Sequence, residues 1–281
     1  MTDRAGSMAE RERAERFLAL HRPDPPLLLP NPWDAGSAKL LRSLGFEALA
    51  TTSSGSAATL GELDGALGRA RAIAHAAEIV AATSLPVSAD LENGFADEPS
   101  GVAETAAAAV EIGLAGFSIE DSTGRADDPI YSLEAAAERV AAAVEVAHAG
   151  PAHVVLTARA ENYLHGRPDL NDTIARLQAY ARAGADVLYA PGVKSAEEIG
   201  ALVSSLGRPL NVLAMAGVPP VAELAALGVC RVSVGGAFAF AALGAVVEAA
   251  KELQAQGTYG FTERARVGSR AAREAFAASD G

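Results

Sequence analysis

Eight short apolar runs, each followed by a long alanine-rich segment, constrain this 281-residue chain more than any single motif. The runs are Leu27–Leu29, Ala48–Thr51, Val87–Ala89, Gly116–Ile119, Val154–Thr157, Val187–Tyr189, Leu210–Leu213 and Arg231–Val234. They alternate with segments of helical length: Ala35–Leu44, Gly65–Thr83, Gly101–Ile112, Leu133–His148, Asn171–Ala183, Ser195–Leu206, Val221–Leu227 and Ala237–Gln254. Runs so short and apolar on both faces read as strands of a parallel sheet that helices cover. Several strands are entered through a helix-end glycine, as in Leu44-Gly-Phe, Ile112-Gly-Leu, Ala183-Gly-Ala and Leu227-Gly-Val, where a left-handed residue suits the end of a helix. Eight βα units predict an α/β fold, a closed (β/α)8 TIM barrel. A doubly wound open sheet would instead favour a glycine-rich phosphate turn after its first strand, and Pro30-Asn-Pro-Trp-Asp34 is not one.

No linker composition interrupts the chain, so 1–281 reads as a single barrel domain. An extra amphipathic helix, Met8 to His21, precedes the first strand after a flexible lead at 1–7. Prolines at 23, 25 and 26 end it. A C-terminal extension, 257–281, carries a polar helix from Glu263 to Phe276 outside the eight units.

A net charge of −12 argues against a sequence-independent hold on nucleic acid or anionic lipid. The apolar stretch Val232–Val247 is broken by Gly235-Gly236 and is too short for a membrane span. One cysteine, Cys230, excludes an internal disulfide and any cysteine-cluster metal site. That cysteine usage, with a charged start lacking an apolar leader, predicts a cytoplasmic protein.

In a barrel the active site gathers at the C-terminal ends of the strands. Just past the third run stand Asp90 and Glu92, which strand alternation would aim to one side, and past the fourth stand Glu120 and Asp121. The fifth run ends at Arg159, followed by Glu161, and the seventh supplies Asn211. After the second comes Thr51-Thr-Ser-Ser-Gly-Ser56, a hydroxyl-rich turn suited to an anion, with Asp64 further on. Clustered carboxylates predict a hard cation, Mg2+ with Mn2+ as a substitute, held by Asp90, Glu92 and Glu120 directly or through waters. The fork of Arg159 would clamp a substrate carboxylate opposite it. Together they suit an enolate, and hence bond cleavage or formation next to the carbonyl of a small 2-oxo acid.

The ordered set Thr51-Thr-Ser-Ser-Gly, Ser88-Ala-Asp-Leu-Glu-Asn-Gly, Ile119-Glu-Asp, Thr157-Ala-Arg-Ala-Glu and Asn211-Val-Leu-Ala resembles the isocitrate lyase/phosphoenolpyruvate mutase superfamily from about Asn31 to Gly260. The resemblance implies that Asp90 and Glu92 take the place of the family's Asp-x-Asp metal pair and that Glu120 is the next metal-shell acid. It makes Asp64 an acid near the metal, Thr52, Ser53 and Ser54 the cradle for the substrate acid, and Arg159 its binding arginine. It also implies a homo-oligomer, dimer or tetramer, with a C-terminal helix exchanged between subunits. The departures are in the loops. The Lys-Lys/Arg-Cys-Gly-His motif of the isocitrate lyases is absent, and the lid Asp121–Ser132 lacks the lysine and asparagine of the phosphonate enzymes. A C–C lyase of oxaloacetate decarboxylase or methylisocitrate lyase type is therefore expected. A P–C enzyme (phosphonomutase or phosphonopyruvate hydrolase-like) and a non-catalytic metabolite-binding barrel are the alternatives.

Four readings stay open at this stage. Arg159 could serve only as an ion-pair partner of Glu161, and Asp64 could simply cap a helix beginning at Gly65. Tyr131 is the lid's candidate proton donor, or a packing residue. His165, near Tyr163, is the one histidine expected on the top side.

Overall fold

The computed structural model describes residues 2–277 of the chain. Eight parallel strands carry the fold: β1 Leu27–Leu29, β2 Leu49–Ala50, β3 Val87–Asp90, β4 Gly116–Glu120, β5 Val155–Arg159, β6 Val187–Tyr189, β7 Leu210–Leu213 and β8 Arg231–Ser233. They pair in the order β1-β8-β7-β6-β5-β4-β3-β2, which brings β1 and β2 to the two edges of the sheet. Those edges meet through one backbone bond, Ala50 N–H to Pro30 O at 3.1 Å. Asn31 completes the closure: its amide donates to Thr51 O, and its oxygen accepts from the N–H groups of Val234 and Gly235. The result is a (β/α)8 TIM barrel.

The helices follow the predicted spacing: α1 Thr2–Ala19, α2 Ala35–Ser43, α3 Ser53–Thr59, α4 Arg69–Ala81, α5 Pro99–Glu111, α6 Leu133–Ala149, α7 Leu170–Arg182, α8 Ala196–Leu206, α9 Val221–Ala226, α10 Ala237–Gln256 and α11 Thr262–Ala277. Helix α1 reaches back to Thr2, into the stretch expected to be a flexible lead, and residues 278–281 of the C-terminal extension lie outside the described residues. The helix-end glycines Gly45, Gly113, Gly184 and Gly228 all have positive φ, as the closing phrases require.

The main core lies between sheet and helices, where Ile79, Val102, Leu156, Leu177 and Leu202 are buried. A second cluster fills the closed end of the barrel, with Phe17 of α1 packed among Leu27, Leu29, Val155 and Val187. Gly116 makes room for it: a Cβ there would lie 2.7 Å from the Phe17 ring and 2.8 Å from Val155 O. Helix α11 packs on α2 of its own chain and buries Ala275, and the ring of Phe276 approaches Gly36. The uncovered helix is instead α10, which leaves Phe238, Phe240, Leu243, Val246 and Val247 exposed.

Candidate active site and metal centre

Strand register stacks the site. Asp90 of β3 pairs with Ser118, Glu120 with Arg159, Arg159 with Tyr189, Tyr189 with Asn211, and Asn211 with Arg231. Arg159 stands among the rim acids, with Nη1 2.9 Å from Asp90, Nη2 3.1 Å from Glu120 and Nε 2.9 Å from Glu161. Arg159 is paired with Glu161 and also lines the cavity. Below the rim is a cavity of about 200 Å³ whose walls include Thr52, Ser53, Ser54, Asp64, Asp90, Arg159, Asn211 and Arg231. An outer cavity of about 340 Å³ continues upward past Glu92, Glu120, Glu161, Ser122 and His165. The rim residues expected from sequence converge here except Asp121, and Tyr131 does not reach the cavity either.

Asp90 and Glu92 reach this rim by a route other than strand alternation. Strand β3 ends at Asp90, and Glu92 has a φ of 48°, a left-handed conformation that few non-glycine residues adopt. The turn is held by Glu92 N–H to Asp90 Oδ1 at 3.2 Å and by Glu120 N–H to Glu92 O at 3.0 Å. The hydroxyl-rich turn is in fact a helix start: Thr52 caps α3 by accepting from Gly55 N–H, and Ser53 donates to Asp90 Oδ2 at 3.1 Å. Asp64 is free of the capping role it could have had, because α4 begins at Arg69 behind Gly68. It lines both cavities.

The electrostatics are those of an acid excess. Asp64, Asp90, Glu92, Glu120 and Glu161 surround one guanidinium, and among the described residues no ion pair reaches Glu92 or Asp64. Burial, then the charges of Asp90 and Asp64, push the Glu92 carboxyl up to about 7. Burial likewise raises Glu120 and Glu161 against the pull of Arg159. A divalent cation with oxygen ligands would relieve this excess, so the donor set fits Mg2+. Among the described residues the rim acids do not bring three ligand atoms within 4.8 Å of one another, as a bare cage would require. An ion that keeps several of its waters suits such a spread.

Tyr131 belongs to a different construction. Its hydroxyl donates to Asp97, which Arg125 of the lid also engages at 3.0 Å, and Arg139 lies 4.1 Å from its ring centroid. The Arg139 guanidinium bonds the carbonyls of Asn93, Ala96 and Asp97 and so clamps the loop after Glu92. The lid is therefore latched to the loop that follows Glu92, and Tyr131 lines neither cavity. Asp121 is structural too, accepting from Arg176, from Tyr180 and from Glu161 N–H.

His165 stands on the top side, where sequence put it, whereas Arg231 acquires a place that sequence did not give it. His165 lines the outer cavity with its Nε2 3.3 Å from Ser122 Oγ. Arg231, read only as the start of a strand, forms the floor of the inner cavity, buried and without a carboxylate within ion-pair distance among the described residues. Its partners are neutral: Asn211 Oδ1 at 2.9 Å, Thr157 Oγ1 at 3.0 Å and His21 Nε2 at 3.1 Å. Burial lowers its pKa to about 10. A charged residue opening an apolar strand was the available signal.

Comparison with known proteins agrees with this geometry. A crystal structure from Burkholderia cenocepacia J2315, provisionally described as a lyase/mutase, is 56% identical, with a TM-score of 0.93 over 97% of this chain and 99% of that one. A second from the same organism, provisionally described as a phosphonomutase, is 37% identical with a TM-score of 0.81, covering 89% of this chain and 100% of that one. An oxaloacetate acetylhydrolase solved with its product oxalate is 27% identical, with a TM-score of 0.80 over 88% of each chain. The family profile described as phosphoenolpyruvate phosphomutase matches residues 17–254, from the Phe17 plug through the rim to α10, and the chain belongs to that family within the isocitrate lyase/PEP mutase superfamily.

Proposed function

We propose that the protein is a Mg2+-dependent lyase that cleaves the C–C bond next to the carbonyl of a small 2-oxo dicarboxylic acid such as oxaloacetate. The observation that carries this reading is the distribution of positive charge. Both cavity arginines, Arg159 and Arg231, lie at the rim and floor of the inner cavity, whereas Arg125 of the lid is drawn off to Asp97. A transferring phosphoryl group needs cations around it, and the lid offers none. A departing carboxylate needs the opposite, a site without a cation to hold it back.

In this reading Arg159 and the Thr52–Ser54 turn bind the retained carboxylate from the rim, and Arg231 with Asn211 supplies positive charge from below. Asp90, Glu92 and Glu120 would hold Mg2+, which when bound supplies Lewis-acid stabilisation of developing oxyanion charge. The bond to the leaving carboxyl breaks, its electron pair stays with the 2-oxo fragment, and CO2 departs toward the lid. The fragment then takes a proton from the lid side, where Ser122 and His165 line the outer cavity. Addition of EDTA during a scan of oxaloacetate and related 2-oxo acids is expected to abolish pyruvate release, and Mg2+ or Mn2+ to restore it. Metal-independent turnover, or turnover of phosphonopyruvate alone by phosphorus NMR, would overturn the reading. A ligand-dependent thermal shift with no turnover on any substrate would favour a metabolite-binding barrel.

The same reading makes the protein a homo-oligomer in which α10 is covered by a second copy. Its supporting observation is the row of exposed apolar residues from Phe238 to Val247, more than a lone helix keeps in water. Light scattering on the eluting protein is expected to give at least twice the chain mass, and a monomer at micromolar concentration would refute it.

A further inference from the structure

At the closed end of the barrel, opposite the rim, two imidazoles converge on one carboxylate. His148 lies in the last turn of α6, His153 precedes β5, and Asp186 precedes β6. His148 Nε2 is 3.0 Å from Asp186 Oδ2 and His153 Nε2 is 2.9 Å from Oδ1. The two rings stack at 3.9 Å with 23° between their planes, so both present the same nitrogen to the same place. Asp186 is itself fixed, accepting from Leu156 N–H at 2.8 Å. The three ligand atoms lie within 4.8 Å of one another, the only such set among the described residues.

Asp121 pairs with Arg176, and Asp90, Glu120 and Glu161 share Arg159. Asp186, 7% exposed, has no lysine or arginine within ion-pair distance among the described residues and meets only the two histidines. A buried carboxylate with no guanidinium or ammonium beside it, faced by two imidazole nitrogens, offers a dication both a counter-charge and ligands. The donor set, two nitrogens and one oxygen, is that of zinc and its neighbours in the transition series, not of magnesium. Donor atoms around such an ion sit roughly 3.3 Å apart, given bonds of about 2.0–2.2 Å, and the three ligand atoms here lie within 4.8 Å of one another before any ion draws them in. The side chain of His153 is 40% exposed, which leaves water free to complete the coordination.

We propose that His148, His153 and Asp186 form a second metal site, specific for Zn2+ or a similar transition ion, that pins the end of α6 to the feet of β5 and β6. It is structural, not catalytic, and stands apart from the Mg2+ centre. The test uses tag-free protein titrated with Zn2+, read by competition with a chromophoric chelator and by thermal shift. With the rim held by saturating Mg2+, one Zn2+ per chain and a raised Tm are expected for wild type and for Asp90→Asn, which disturbs the rim only. The double variant His148→Ala/His153→Ala is expected to lose that equivalent, and His153→Ala alone to weaken it at least about tenfold. Co2+ loaded into wild type is expected to give a visible absorption band that the double variant lacks. Undiminished Zn2+ binding in the double variant, or no Zn2+ binding and no Tm shift in wild type, would overturn the proposal.

Discussion

Replacement of Arg159 by methionine is expected to cost about 3–5 kcal/mol of stability in EDTA, the range for removing one partner of a buried ion pair. The effect is large because three carboxylates lose their counter-charge at once: Asp90, Glu120 and Glu161. Their remaining neighbours, Glu92 and Asp64, only add repulsion. Chemical denaturation with and without Mg2+ reads the result. The variant is expected to gain more stability from saturating Mg2+ than wild type does, since the ion is then the sole relief of the acid excess; saturation at a hundred times Kd contributes about 2.7 kcal/mol. Catalysis is expected to fall by a factor on the order of 10³ in kcat/KM even with Mg2+ restored, as for loss of a group that stabilises developing charge. A variant as stable as wild type in EDTA would show that the rim acids are protonated or solvated and do not depend on the arginine.

Arg231→Met is expected to separate stability from function. A buried guanidinium without a carboxylate is costly to hold, so an apolar replacement of similar length leaves stability within about 1–2 kcal/mol of wild type or raises it. The same change is expected to raise KM for a 2-oxo dicarboxylate roughly 10- to 100-fold, the worth of a charged hydrogen bond. Steady-state kinetics beside a denaturation curve would decide: a large loss of stability with KM unchanged would make Arg231 a packing residue only. His21 provides a linked readout. Burial, then the charge of Arg231, lowers its pKa to about 3 from 6.5, so the folded state favours the neutral ring that accepts from Arg231. A depressed pKa contributes stability that is present above 6.5 and is lost as pH falls toward 3. Without Arg231 that acid loss is expected to be smaller.

The barrel was legible because its strands are buried on both faces, so each reads as an apolar run whatever surrounds it. The boundaries of β1, β6 and β7 match the sequence reading, and the others differ by a residue or two. Helix α3 escaped notice because Ser53-Ser-Gly-Ser has poor helix propensity and is held by the cap of Thr52 and by packing at the rim. The acids and Arg159 were legible for a different reason: the position just past a strand already assigns a residue to the top of a barrel. What could not be read were pairings across the sequence. Tyr131 finds Asp97 thirty-four positions away, and His148 and His153 meet Asp186 across 38 and 33. Arg231 did leave a mark, a charged residue opening an apolar strand, but the absence of a carboxylate beside it is written only in the fold.

The single backbone bond between the barrel's edges has a dynamic consequence. Strands β1 and β2 are joined by that one bond, whereas every other neighbouring pair is in register at two to five positions, so the β1/β2 seam is the least cross-linked joint of the sheet. Thr51, bound by Asn31, sits on that seam, and Thr52–Ser54 follow it directly. Sub-global opening at this joint costs far less than unfolding the barrel. The Thr52–Ser54 turn can therefore breathe on its own while the acids of β3 and β4 and the arginine of β5 stay fixed in the well-bonded half.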